Sequence, residues 1–452
     1  MPDLPITQLD SMHLRNFRRF ADLSIEFHPE LTVIVAENGG GKTALLDAIA
    51  IALTPLTEGL RLHKPRGIDP TDMRRVLAST GSMITVAPTA LDATGLVDGL
   101  KTQWHRELAA LDAKTDDRGA DALAMRARGL RHDLQQFAER KQTAPPLLPL
   151  VAYYGTARLW RKGKPSDPTS KAPVDLVEQT EGYRGALDTR TTFSQVAAWL
   201  EQFVREAQNE VTTGSPSPYR PQEILSAVRR ASDIVLEPSG WNRVDWDFVA
   251  AAVVAHHPER GRLPVGLLSD GVRNLVALVM DLAHRSVRLN PHLGAKACEE
   301  SRGIVLIDEV DMHLHPSWQQ TVLPLLRRAF PHVQLIVTTH SHLVVSTVKS
   351  ESIRVLEPDG TVTTPGMQVQ GAESPYALAL VFGVDSVAPL GIARDTSRLR
   401  ALIQAGQLDT DEAQALRVRI TEHFGPVHPT TLDIEGLERL QRFKARKSQG
   451  GL

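Results

Sequence analysis

Short apolar runs punctuate this chain at wide intervals. The runs 31–35 (LTVIV), 147–154 (LLPLVAYY), 303–308 (GIVLID) and 333–338 (VQLIVT) are continuous in apolar character rather than alternating. Strands covered on both faces read this way. Residues 12–20 (MHLRNFRRF) and 24–27 form two further strands, the first with a basic end. Beyond the glycine-rich stretch after 35, the pattern TALLDAIAIAL puts apolar residues in every turn of a mostly buried helix. The same periodicity gives a helix over 317–329, with Pro316 at its first turn and Pro324 as a kink. Helices are also expected over 193–207 and from Pro375 to the end. Strands alternating with helices predict an α/β core with parallel strands.

The pattern changes over 54–143. Pro55, Pro65, Pro70 and Pro88 interrupt it, and 100–141 is polar with Trp104, Leu108, Leu111, Leu130, Leu134 and Phe137 at helical spacing. This predicts a mostly helical insertion over 55–145, without the heptads of an extended coiled coil. The core then resumes over 146–366, and 367–452 forms a helical C-terminal segment suited to binding a partner. Residues 161–175 (RKGKPSDPTSKAPVD) are expected to be an exposed loop. With 452 residues and 42% apolar content, one domain with a large insertion or two domains can bury a core. Cys298 is the single cysteine, so neither an intrachain disulfide nor a cysteine-based zinc site can form. No uncharged apolar run reaches the roughly 18 residues that span a bilayer, and the N-terminus lacks a signal-peptide pattern. The expected location is cytoplasmic, with no membrane partner.

The candidate chemistry begins at 36–43 (AENGGGKT). A phosphate cradle needs small residues that let backbone N–H groups point inward, and a helix N-terminus beneath them. Asn38, Gly39, Gly40 and Gly41 meet the first need and the helix from Thr43 the second. Lys42 can reach the β- and γ-phosphates of ATP, and the Thr43 hydroxyl can ligate Mg²⁺. Ala36 stands where the usual pattern begins with glycine. Far downstream, the run GIVLID ends in Asp308, followed by Glu309. Asp308 suits Mg²⁺, and Glu309 suits the base that orients or deprotonates water. His340 ends the next strand and can sense the γ-phosphate. Ser269 and Gly271 stand at a helix start in LLSDGVRNL, where a hydroxyl and an N–H make a second phosphate site. The pairs His313/His315 and His340/His342 also have zinc-ligand character, but the nucleotide reading explains their positions without zinc.

Together these segments resemble the ABC-type ATPases of the SMC, RecF and OLD group, in that group's motif order. MHLRNFRRF matches the first strand, AENGGGKTALLDAIA Walker A and LLSDGVRNLVAL the signature. GIVLIDEVDMHLHPSWQ matches Walker B and IVTTHSHLV the switch histidine. The resemblance implies an ATPase head in which Ser269 and Gly271 complete the site of a second copy, giving a homodimer or higher oligomer around ATP. LPLVAYYGTARLW, EGYRGALDTRTTFSQVAAWLEQ and QGAESPYALALVFGV further resemble the stand-alone PtuA ATPases of Septu and retron defence systems. That implies a separate HNH-type nuclease as partner, and no nuclease activity in this chain. Asp409 and Asp411 form a D-x-D, but no apolar strand precedes them as a Toprim nuclease would require.

Basic clusters at Arg61, Lys64, Arg66, Arg74 and Arg75, at Arg158, Arg161, Lys162 and Lys164, and at Arg439 to Lys447 suit either nucleic-acid phosphates or solvent. The net charge of −2 decides nothing between them. The rival readings are a RecF-like DNA-repair ATPase and a nucleotide-locked scaffold with little turnover.

Overall fold

Leu31–Val35 (β3) is buried along its whole length, and its β-branched residues favour an extended strand covered on both faces. It lies near the middle of the main sheet in a computed structural model that describes residues 7–61, 66–79, 81–139, 145–156, 179–188, 193–214, 220–383 and 391–449. The chain divides into two compact units, residues 1–382 and 383–452.

In the first unit, β1 (Gln8–Phe17) and β2 (Phe20–Glu26) precede β3, and helix α1 (Lys42–Arg61) follows it. Next come β4 (Thr89–Val97), β5 (Leu100–Leu108), α2 (Asp121–Ala138) and β6 (Leu150–Tyr154). Helices α3 (Phe193–Thr213) and α4 (Pro221–Leu236) follow, and then a three-stranded antiparallel sheet of β7 (Asn242–Asp247), β8 (Ala252–His257) and β9 (Gly261–Pro264). Helix α5 (Asp270–Leu289) leads to β10 (Gly303–Ile307). Short helices α6 (Pro316–Gln319) and α7 (Val322–Ala329) precede β11 (Val333–Thr338) and α8 (His342–Val345). Strands β12 (Ile353–Leu356) and β13 (Val362–Thr363) and helix α9 (Ser374–Phe382) complete the unit.

The main sheet has the order β13-β12-β3-β11-β10-β6, parallel except for the edge strand β13. Ile307 pairs with both Val337 and Tyr154, and Thr338 pairs with Ile34, so four strands end level at one edge. Gln334, buried within β11, exchanges hydrogen bonds with the backbone of Leu9 at 2.8 Å in both directions. That amide ties the main sheet to a second, antiparallel sheet of order β2-β1-β4-β5.

The insertion departs from expectation. Residues 100–108 are a strand, and Trp104 and Leu108 share its inner face. A separation of four residues fits a helix turn and, being even, equally fits strand alternation. Arg106 between them is fully buried, and that charge disguised the alternation. The second half of the segment is helical as expected, with Leu130 and Leu134 buried on α2. The boundary at 54 also fails, because α1 continues through Pro55 to Arg61. Pro55 has no N–H to give to the carbonyl of Ile51, four residues back. That carbonyl instead accepts from Arg106 Nη1 at 2.5 Å and Thr54 Oγ1 at 2.8 Å. Trp104 Nε1 donates to the next carbonyl, Ala52, at 2.9 Å. The hairpin β4–β5 therefore braces a helix that its own proline would weaken. Residues 367–382 belong to the first unit, which moves the C-terminal boundary from 366 to 382.

The helix expected over 317–329 is two pieces. The break falls at Gln320 and Thr321, just where the ring of Pro324 would meet the carbonyl of residue 320 in a continuous helix. The second unit contains α10 (Gly391–Gln404), α11 (Asp411–Phe424) and α12 (Pro429–Gln449), packed around Leu399, Leu402, Ile403, Leu416, Ile420 and Ile434.

Candidate active site

The level edge of the main sheet brings Lys42, Thr43, Asp308 and Glu309 together. After β3 the chain turns through 36–41 and enters α1 at Lys42, whose first-turn N–H groups have no helical partner of their own. Gly40 N donates to the Glu37 carbonyl at 2.9 Å, closing the turn. A Cβ on Gly40 would fall 2.5 Å from the Ala36 methyl and 2.8 Å from the Glu37 oxygen. Ala36 is thus accommodated because residue 40 has no side chain. Lys42 is buried, and its Nζ donates to the carbonyls of Ala36 and Glu37 at 3.0 and 3.3 Å. Burial pulls its ammonium below the usual lysine range, while Asp308, Glu309 and Asp311 oppose that shift.

Thr43 Oγ1 donates to Asp308 Oδ2 at 2.7 Å, joining residues 265 positions apart. The other carboxylate oxygen of Asp308 accepts from Thr338 Oγ1 at 2.6 Å. The same threonine oxygen accepts from the Glu309 backbone N–H at 2.7 Å. Glu309 sits in the left-handed region, at φ +46°, and this bond helps hold it there. A hydroxyl and a carboxylate this close are hard oxygen donors of the kind Mg²⁺ takes in phosphate sites. Among the described residues, no three His, Cys, Asp or Glu side chains are grouped so as to hold a metal ion. His340 is exposed just past β11, and His342 opens α8. His315 Nδ1 lies 2.8 Å from Ser317 Oγ, and His313 stands at φ +62°.

Sequence reasoning passed over two groups here. Arg19 Nη1 donates to the Gly39 carbonyl at 2.5 Å, so the β1–β2 turn lies against the glycine loop. Arg18 bridges Asp47 on α1, at 2.5 Å, and Asp72, at 2.8 Å, and Tyr153 donates to the other oxygen of Asp47 at 3.0 Å. The signal available was a basic pair between two strands, which the sequence alone leaves as a charged strand end.

Ser269 is the N-cap residue of α5 with extended backbone, is exposed, and makes no side-chain capping bond. Gly271, two residues on, is buried, and a Cβ there would fall 2.6 Å from the His313 carbonyl oxygen. The start of α5 therefore packs on the segment that follows Asp308. Beneath it, Tyr154 donates to Asp281 at 2.6 Å and Arg285 donates to the same oxygen at 2.7 Å, which anchors α5 to β6.

Two family models match. One is described as "AAA domain" and covers residues 11–212, and the other, "AAA domain, putative AbiEii toxin, Type IV TA system", covers 177–346. The chain is 25% identical to the Retron Ec83 probable ATPase of Escherichia coli, over 94% of this chain and 85% of that one. It is 24% identical to the Retron Vc95 probable ATPase of Vibrio cholerae, over 92% and 87%. Together the two AAA matches span residues 11–346, the stretch that contains the phosphate loop, Asp308 and His340. Septu protein PtuA of Bacillus mycoides is 39% identical over a shorter stretch, 20% of this chain and 12% of that protein. The solved SMC head domain from Thermotoga maritima has 16% identity and a TM-score of 0.41, covering 79% of this chain and 98% of that one. Helix α1 is long and apolar enough to cross a membrane, but it is mostly buried in the core. Arg158, Arg161, Lys162, Lys164 and Lys64 lie outside the described residues, as does the loop expected at 161–175. In the second unit, Asp409 pairs with Arg442 at 3.3 Å, and Asp411 opens α11 behind a Thr410 cap.

Proposed function

We propose that this chain hydrolyses ATP with Mg²⁺, closes on a second copy around the nucleotide, and regulates a separate HNH-type nuclease in antiphage defence. The observation that carries the chemistry is the 2.7 Å contact between Thr43 and Asp308. It brings the phosphate loop and the acidic strand end to one point. In this reading Asn38 to Gly41 present backbone N–H groups to the phosphates and Lys42 neutralises the β- and γ-oxygens. Thr43 and Asp308 would hold Mg²⁺, which would supply positive charge beside the phosphate oxygens. Glu309 takes the proton of the attacking water, and His340 contacts the γ-phosphate. Ser269 and Gly271 complete the neighbour's site. Support for that last role is the exposed Ser269 hydroxyl, free of a capping bond at the start of a helix. The names of the retron and Septu relatives support the defence setting.

Lys42→Ala should abolish measurable ATP binding. Glu309→Gln should bind ATP, lower hydrolysis by on the order of a hundredfold, and accumulate as an ATP-bound dimer by light scattering. Normal hydrolysis by Glu309→Gln would sink the base assignment. Co-purification with a nuclease, and nuclease assays with and without ATP, test the regulatory half.

A further inference from the structure

The end of β11 is stitched to the segment after β10 by side chains the proposed chemistry does not use. Thr339 Oγ1 donates to Asp311 at 2.5 Å and accepts from Ser341 N at 2.9 Å. Ser341 Oγ caps α8, accepting from Leu343 N and Val344 N, and donates to Gln319 Oε1 at 2.6 Å. The other end of that amide, Nε2, donates to the Leu314 carbonyl at 3.0 Å. Gln319 therefore holds the residue after His340 with one atom and the 309–315 segment with another. That segment includes Glu309 and His313, both at positive φ, and the His313 carbonyl abuts Gly271. An unbroken path of hydrogen bonds and contact runs from beside His340, through Gln319, to the start of α5. The chain break at Gln320 and Thr321 leaves Gln319 at the end of α6, a four-residue helix too short to be held by its own hydrogen bonds.

We propose that Gln319 is a positioning residue that couples the His340 loop to the surface formed by 309–315 and Ser269. The inference rests on the ATPase reading above. Gln319 acts through its two partners, and its amide fixes how far the His340 loop and the 309–315 segment stand apart. A shift of about 1 Å in such a group costs up to about a hundredfold in rate without touching binding.

The test uses the full chain with ATP and Mg²⁺. Gln319→Met keeps side-chain length and removes both hydrogen bonds. It should slow single-turnover hydrolysis about tenfold, leave the ATP dissociation constant and the Tm unchanged, and add no further loss to His340→Ala. Ser341→Ala should reproduce the loss, while Ser341→Thr, which keeps the hydroxyl, should not. Normal hydrolysis by Gln319→Met overturns the inference. So does a loss that multiplies with that of His340→Ala, or one that runs in step with weaker ATP binding and a lower Tm. If those variants fail while Lys42→Ala and Glu309→Gln behave as stated, only the coupling is wrong. If the unsubstituted chain does not hydrolyse ATP, both readings fall.

Discussion

Ala36 and Gly40 show how one unusual residue is absorbed by another. The methyl of Ala36 occupies space that any side chain at 40 would need, so the two positions share one volume. Gly40→Ala should therefore weaken ATP binding by about tenfold or more, because overpacking forces the backbone to move. Ala36→Gly in the same chain should recover part of that loss, and only part, since the Glu37 oxygen still crowds position 40. Nucleotide titration of the three variants checks this, and no recovery would show that the shared volume is not the constraint. The meeting of the phosphate loop with Asp308 and Glu309 was legible because glycines before a helix and acids at a strand end are local patterns that a parallel sheet carries to one edge. Thr338, Arg19 and Gln319 were not. Each acts through a partner distant in sequence, and a threonine, arginine or glutamine carries no local signature of that work.

At the scale of elements, buried parallel strands were the most readable part of the chain. Continuous apolar runs such as β3, β10 and β11 have few alternative homes. The hairpin β4–β5 was misread because Trp104 and Leu108 satisfy two periods at once, and the buried Arg106 interrupts the apolar face. That arginine should be costly to replace. Arg106→Leu takes one of two donors from the Ile51 carbonyl and leaves Asp117 without its arginine, which should lower stability by about 2 kcal/mol. Pro55→Ala in the same chain should return part of it, because an N–H at 55 can again reach Ile51. Urea denaturation of both variants reads the outcome, and an unchanged midpoint for Arg106→Leu would contradict the bracing role. Helix α3 was expected over 193–207 and runs on to Thr213, whereas the sheet β7–β9 gave no comparable signal, because its strands are short and half polar.

For the whole molecule, one desolvated imidazole ties stability to pH. His284 on α5 is half-buried, lies tilted against Trp199 with ring centroids 4.7 Å apart, and both of its ring nitrogens are shut off from solvent without a hydrogen-bond partner. Burial, aided by Arg288, pushes its pKa down to about 3, from an ordinary value of 6.5. The unfolded chain thus binds a proton that the folded one refuses, so stability is complete above about 6.5 and falls as pH drops towards 3. The slope from this group approaches about 1.4 kcal/mol per pH unit. His284→Phe should flatten the decline of Tm between pH 6.5 and 4, and an unchanged slope would show that other groups set it. The bracing of α1 by Arg106 has a last consequence, for synthesis. The helix that begins at the phosphate loop leaves the ribosome about 50 residues before the guanidinium that satisfies its interrupted turn. The nascent N-terminus must therefore wait with that turn incomplete, and a truncated product ending before residue 106 would carry the whole glycine loop yet lack the support beneath it.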